Sequence, residues 1–314
     1  MTAREKLFDL QGHRGARGLW PENTLAGFAR TMDLGVCGIE LDCAVTKDGV
    51  VVVSHDPELN PDCTRDAAGR FLERPGPPLI SLTYAELARY DVGRLRPGSA
   101  YAARFPLQQA VDGERIPRLA EVLALIATRG RDHVRVNIEV KSSPERPQLA
   151  PAPEAFAQAL RLTVQGAAGA AVPPLVITSF DWRILAAVHS LMPGVATGAL
   201  TEQQPGYDTV RLGSPQASPW LGGLDPRRFA HSVPRLVKAA GAGAWGPDYL
   251  DLSAPQVAEA HALGLGVVPW TVNEPADMER LIDLGVDGMI TDRPDVLRTV
   301  LGKHGMAVPM PPQE

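Results

Sequence analysis

The sequence predicts an α/β chain folded as a (β/α)8 TIM barrel, with a small insertion after the second strand. Three observations predict it. Eight short runs rich in apolar and β-branched residues are each followed by a segment with the apolar spacing of a helix. The chain has 314 residues, 45% of them hydrophobic, which suits one large domain. At the first strand-to-helix junction, Gly12, Gly15 and Gly18 recur at intervals of three. That spacing does not fit the GxGxxG turn of a doubly wound nucleotide-binding sheet, the alternative architecture.

The first strand is expected at about 7–12, followed by a helix from about Glu22 to Asp33 that Gly35 ends. The second strand spans 38–45. Asp48-Gly49 then turns the chain into Val50–Ser54, a hairpin signal. From Asp56 to about Arg115 the pattern breaks down into Pro, Arg and Gly, with one short helical piece at 84–90. Such a stretch is too long for a plain connection and reads as an insertion, at about 57–115. A helix at 117–127 and a strand at 134–140 resume the alternation.

Helices are then expected at 154–164, 181–191, 232–240, 255–263, 275–284 and 294–302, and strands at 175–179, 195–200, 243–246, 267–271 and 288–291. A loop rich in Gly and Pro at 201–231 is a second candidate insertion. Residues 1–303 form a single domain in this reading, and 304–314 are expected to be a disordered tail. In such barrels the active site lies at the C-terminal ends of the strands. Both insertions follow strand ends and so lie on that face, as a candidate lid or substrate-selecting wall.

Net charge is 31 minus 36, or −5, with no basic block, and aromatic residues make up 5%. Neither suits a nucleic-acid surface. No apolar stretch is long enough to span a bilayer, so no stable membrane insertion is expected. Met1 to Lys6 is polar and carries no signal-peptide core, and Cys37, Cys43 and Cys63 show no paired metal spacing. The expected compartment is the cytoplasm.

The chemistry gathers at the strand ends. The first strand ends in His13-Arg14. The second carries Glu40 and Asp42, and the third Glu139 and Lys141. Residues two apart on a strand share a face, so each pair can converge. His55-Asp56 follows the hairpin. Three ionised carboxylates repel one another and call for a positive charge among them. A hard divalent cation, Mg2+ or Ca2+, suits oxygen ligands better than zinc does. His13 and His55 are then free for proton transfer. Arg14 can grip a phosphate with two parallel hydrogen bonds. Glu139 with Lys141 also fits a plain internal salt bridge. Glu22 and Asn23 fit a helix cap or a brace for Arg14. The combination points to phosphodiester cleavage.

The same residues resemble a known family, the glycerophosphodiester phosphodiesterases. The likeness runs through Gly12-His13-Arg14-Gly15, Pro21-Glu22-Asn23-Thr24, Gly38-Ile39-Glu40-Leu41-Asp42, Thr46-Lys47-Asp48-Gly49 and His55-Asp56-Pro57. It continues in Ile138-Glu139-Val140-Lys141, Ser179-Phe180, Trp270-Thr271-Val272-Asn273 and Thr291-Asp292-Arg293-Pro294. The resemblance implies the barrel with its insertion, His13 and His55 as acid and base, and Glu40, Asp42 and Glu139 around one Mg2+ or Ca2+. It implies phosphate contacts from Arg14 and Lys141. Trp270 is a candidate wall for the glycerol or alcohol group.

The implied reaction hydrolyses a small glycerophosphodiester to glycerol 3-phosphate and an alcohol. The glycerol 2-hydroxyl attacks phosphorus, and water opens the resulting cyclic phosphate. A phospholipase D-like activity on lysophospholipids and a non-catalytic phosphate-binding barrel are the alternatives. After His55 the chain departs from the commonest family pattern, reading Asp56-Pro57-Glu58-Leu59-Asn60-Pro61-Asp62-Cys63-Thr64-Arg65.

Overall fold

The first apolar run pairs on both sides at once. β1 (Asp9–Gly12) lies parallel to β2 (Gly38–Val45) through Gln11 and Gly38. It also lies parallel to the chain's last strand, Gly288–Thr291, through Asp9 and Gly288. A first strand held between the second and the last is the mark of a sheet curling closed. The computed structural model describes residues 7–129, 134–167 and 172–308.

Between those strands run β3 (Val51–Val53), β4 (Arg135–Val140), β5 (Leu175–Ser179), β6 (Ala196–Thr201), β7 (Ala244–Pro247) and β8 (Gly266–Val267), with Gly288–Thr291 as β9. All pair in parallel in the order β8-β7-β6-β5-β4-β2-β1-β9, apart from β3, which folds back antiparallel on β2. Backbone hydrogen bonds from Asp287 to Val267 and from Ile290 to Pro269, 2.9 and 3.0 Å, join the last strand to the β8 segment. The result is a nearly closed barrel of eight parallel strands. β8 is shorter than the expected 267–271, because Pro269 has no N–H to continue the ladder.

Helices follow each parallel strand: α1 (Leu25–Asp33), α2 (Leu119–Thr128), α3 (Pro153–Gly166), α4 (Trp182–Leu191), α5 (Val233–Ala239), α6 (Ala254–Ala262), α7 (Pro275–Asp283) and α8 (Pro294–Lys303). α1 begins three residues later than expected. Asn23 has a φ of +56°, and Thr24 is the N-cap, its hydroxyl accepting from the Gly27 N–H.

Strand parity separates core from site. Ile39, Leu41 and Cys43 of β2 enter one apolar cluster with Phe28 and Met32 of α1 and Leu119 and Leu123 of α2. Burying each large apolar side chain contributes roughly 1.5–3 kcal/mol. This offsets the cost of enclosing Glu40 and Asp42 on the opposite face of the same strand.

The stretch between β3 and α2 builds a smaller core from Leu59, Leu79, Leu87 and Ile116, packed on Ala44 and Val52 of the hairpin. Its short helix Tyr84–Leu87 carries a Thr83–Glu86 capping box. A second short helix, Ala100–Ala103, had no signal in the sequence pattern. Beyond Lys303 the chain is described to Val308, and Met306 and Val308 pack against the main core. Residues 1–6 and 309–314, the rest of the expected disordered tail, lie outside the described residues. Among the described residues no helix is long and apolar enough to cross a membrane.

Candidate active site

The turn after β1 is strained where it meets the site. Arg14, Gly15 and Ala16 all have positive φ, at +49°, +72° and +57°. At Gly15 a Cβ would also come within 2.8 Å of the Phe28 ring, so glycine alone fits there. The turn aims the Arg14 N–H at Glu40 Oε2, 2.9 Å away.

Glu40, Asp42 and Glu139 present carboxylate oxygens within 4.8 Å of one another, and all three are buried. Register explains the convergence. Asp42 of β2 lies abreast of Glu139 of β4, and Glu40 precedes Asp42 by two on the same face. Lys141 sits over the group, bonded to Glu139 and with Nζ 3.1 Å from Asp42 Oδ1. That contact is off hydrogen-bond alignment, so the buried Oδ1 has no donor.

A buried carboxylate oxygen without a donor, beside two further carboxylates, fits a divalent cation with oxygen ligands. Burial, reinforced by Asp42 and Glu139, pushes the Glu40 carboxyl well above the usual range. Burial also works against ionised Asp42, but Lys141, His55 and Arg14 outweigh it and hold Asp42 well below the usual range. Beneath lies a hydrogen-bonded floor, with Thr178 donating to Asn137 and Asn137 to Gln11, at 2.9 and 3.0 Å.

The histidines flank the carboxylates. His13 Nδ1 is 2.6 Å from Asp292 Oδ1, and His13 Nε2 is 3.9 Å from Glu40. Burial and the neighbouring Arg17 lower the His13 imidazole to about 4. β3 returns the chain antiparallel to β2, and the Ser54 N–H bonds the Asp42 carbonyl at 2.9 Å. His55 therefore arrives beside the carboxylates. Its Nδ1 is 2.7 Å from Asp56 Oδ1, and burial with Arg14 and Lys141 lowers its imidazole too. Each histidine thus has a carboxylate at Nδ1 and Nε2 left for other partners.

The cations are braced by acids. Arg14 donates to Glu22 at 2.9 Å and lies 3.4 Å from Asp42 Oδ2. Asn23 donates to Asp42 Oδ2 at 2.9 Å. Glu22 also accepts from the hydroxyl of Tyr101, which the insertion supplies. Arg17 donates to Asp292 Oδ1 at 2.7 Å and to Tyr101 at 3.2 Å.

All of this opens on a cleft of about 630 Å3 whose lining includes His13, Arg14, Glu40, His55, Glu139, Lys141 and Trp270. Asp42 is fully buried behind it. His13, Arg14, Glu40, Asp42, His55, Glu139, Lys141 and Trp270, the candidate site residues of the sequence, therefore lie together at one strand-end face.

The sequence profile of the glycerophosphoryl diester phosphodiesterase family matches residues 13–296. The chain belongs to that family. A glycerophosphodiester phosphodiesterase of Caldanaerobacter subterraneus subsp. tengcongensis is 32% identical over 93% of this chain and 97% of its own length. One from Bacillus subtilis is 31% identical over 92% and 84%. Among solved structures, a Silicibacter pomeroyi protein assigned as a glycerophosphoryl diester phosphodiesterase superposes with a TM-score of 0.84. It is 36% identical and covers 97% of this chain and 96% of its own. An Oleispira antarctica phosphodiesterase, solved with the product sn-glycerol-3-phosphate, shares the fold at a TM-score of 0.66 and 22% identity, over 94% and 97%. As a member of the family the chain is a phosphoric diester hydrolase.

Several site residues carried no role in the sequence reading. Arg17 stands four residues after His13 in the same glycine-rich stretch, and that proximity was its only signal. Asp292 lay in a recognised motif without a partner in view. Tyr101, Glu202, Tyr207 and Trp220 come from the two insertions, where no periodicity assigns a facing direction.

Proposed function

We propose that this cleft hydrolyses small glycerophosphodiesters, lipid-derived ones included, to glycerol 3-phosphate and an alcohol, in the cytoplasm. The observation that carries this reading is the buried Glu40–Asp42–Glu139 triad between two histidines, each anchored at Nδ1 by a carboxylate. Glu40, Asp42 and Glu139 hold one Mg2+ or Ca2+. When bound, the cation neutralises charge on the phosphoryl oxygens. Arg14 and Lys141 bind the phosphate, and Trp270 walls the organic part of the substrate.

One imidazole Nε2 accepts the proton of the glycerol 2-hydroxyl as that oxygen attacks phosphorus. The other histidine gives a proton to the departing alcohol oxygen. The roles reverse as water opens the cyclic phosphate. Asp292 and Asp56 keep the rings oriented and the proton on Nδ1 through both halves. The Oleispira neighbour's bound sn-glycerol-3-phosphate supports the product assignment.

The test is incubation with glycerophosphocholine, following glycerol 3-phosphate with and without a chelator. Release that needs a divalent cation is expected. No release with any divalent metal overturns the reading, and activity that survives exhaustive chelation overturns the metal assignment alone.

A further inference from the structure

The arginines and the lysine of the cleft keep to one side of it, around the carboxylate triad. Arg14, Arg17, Arg104 and Lys141 line the end built from β1, β4 and the first insertion. From β5 round to β8, beginning next to Lys141, the wall is aromatic and acidic. We propose that this wall, made by Phe180, Tyr207, Trp220 and Trp270 with Glu202 and Asp248, is a subsite for a positively charged alcohol, so that the preferred diesters carry an amino or quaternary-ammonium group on the leaving alcohol. The proposal rests on the glycerophosphodiesterase reading above.

The aromatic part is one continuous array. Trp270 meets Phe180 edge-on with ring centres 5.3 Å apart, Phe180 meets Tyr207 at 5.9 Å, and Tyr207 meets Trp220 at 5.8 Å. Each edge-to-face contact covers a face of one ring, but all four rings still line the cleft, and a ring face turned to it carries the negative end of the quadrupole. Such surfaces attract ammonium groups and favour weakly hydrated quaternary ones.

Two carboxylates complete the wall. Glu202 follows β6, its backbone fixed by Thr209, whose N–H donates to the Glu202 carbonyl at 2.9 Å. Asp248 stands across from Trp270 in a parallel bridge and accepts from the Leu250 N–H at 2.8 Å. Neither carboxylate has a cationic partner among the described residues, and burial with the acids nearby pushes both carboxyls upward, Glu202 to about 7. A cation bound there would remove that mutual repulsion. The rim acids differ, since Glu145 is paired with Arg211 and Glu58 with Arg146.

A substrate that is anionic at phosphorus and cationic at its alcohol matches this arrangement along its own length. A polyol alcohol would satisfy the carboxylates by hydrogen bonding but would gain nothing from the ring faces.

The experiment compares kcat/KM of the metal-loaded full chain on glycerophosphocholine and on glycerophosphoglycerol, whose leaving alcohol is an uncharged polyol. The choline diester should be preferred by about tenfold or more. Glu202→Gln should lower that ratio toward one, Glu202→Asp should keep part of it, and Asp248→Asn should move it the same way. Should Glu202→Gln not fold, Tyr207→Leu is the second variant, and it too should lower the ratio. Equal kcat/KM on both diesters overturns the subsite and leaves the diesterase reading standing. A choline preference unchanged in both Glu202→Gln and Tyr207→Leu also overturns the subsite. Hydrolysis of neither diester overturns the diesterase reading, and the subsite with it.

Discussion

Asp292 Oδ1 lies 2.6 Å from His13 Nδ1, joining the end of the last strand to the end of the first. The same oxygen accepts from Arg17 Nε at 2.7 Å, while Asn273 donates to Oδ2 at 2.8 Å. Burial opposes an ionised Asp292, but His13 and Arg17 outweigh it and hold the carboxyl below the usual range. A fixed anion at Nδ1 keeps the imidazole in one tautomer. Asp292→Asn should therefore lower kcat by about a hundredfold or more, with a smaller change in KM. Steady-state kinetics at several pH values checks this, and near-normal turnover would remove Asp292 from the positioning of His13.

His13→Ala and His55→Ala should each cost at least about a hundredfold in rate, the usual scale for a lost general acid or base. The loss should appear in kcat, because neither ring supplies the main grip on phosphate. Single-turnover measurements separate this from slow product release. Wild-type rates in either variant would mean that its role is misassigned.

Divalent cation should raise the melting temperature of the wild-type protein, because only the folded chain brings the three carboxylates together. A cation at about a hundred times its Kd stabilises by roughly 2.7 kcal/mol. Glu139→Gln should retain the fold and lose most of the rise. A full thermal shift in the variant would show that the ion binds elsewhere.

Glu202 gives a pH dependence of stability. Its carboxyl is raised from 4.5 to about 7 by burial and by Asp248 and Asp251. Those acids and the Tyr207 hydroxyl are the groups facing it. Between the two values the folded chain holds a proton that the unfolded chain has released. Stability therefore falls as pH rises through this window. Glu202→Gln lacks that loss. Its melting temperature relative to wild type should climb from pH 4.5 to 7 and then level off. A difference independent of pH would contradict the raised carboxyl.

Much of this was legible in the sequence because it depends on local spacing. Alternation exposed the eight strand–helix units. The i, i+2 parity of Glu40 and Asp42, and of Glu139 and Lys141, put each pair on one face before any register was known. What stayed hidden depends on long-range pairing. Asp292 is 279 residues from His13, and only barrel closure makes them neighbours. The short helix Ala100–Ala103 is a single turn with no polar face and no buried residue, so nothing in its composition marks Tyr101 as facing the site. Glu202 and Tyr207 come together through a two-residue hairpin ladder in a loop that reads as plain Gly and Pro.

Tyr101 is where the first insertion enters the chemistry, and its hydroxyl can be removed without disturbing its ring. That hydroxyl donates to Glu22 and accepts from Arg17 Nη1. Glu22 in turn holds Arg14, and Arg17 holds Asp292. The ring is packed edge-on to Phe105 at 5.2 Å, a contact that phenylalanine would keep. In Tyr101→Phe, Glu22 loses one donor and Arg17 one acceptor, a loss of about 1 kcal/mol or somewhat more in stability. The larger effect should fall on substrate. A looser Glu22 leaves Arg14 less well aimed at the phosphate, and a partner at this remove typically changes function by about 10- to 100-fold. If Arg14 grips the ground-state and transition-state phosphate alike, KM should rise while kcat holds. If the Arg17–Asp292–His13 arm matters more, kcat should fall and the acid limb of its pH profile should move. Steady-state kinetics across pH separates the two arms. Wild-type kcat and KM at every pH would show that the insertion's tyrosine positions neither.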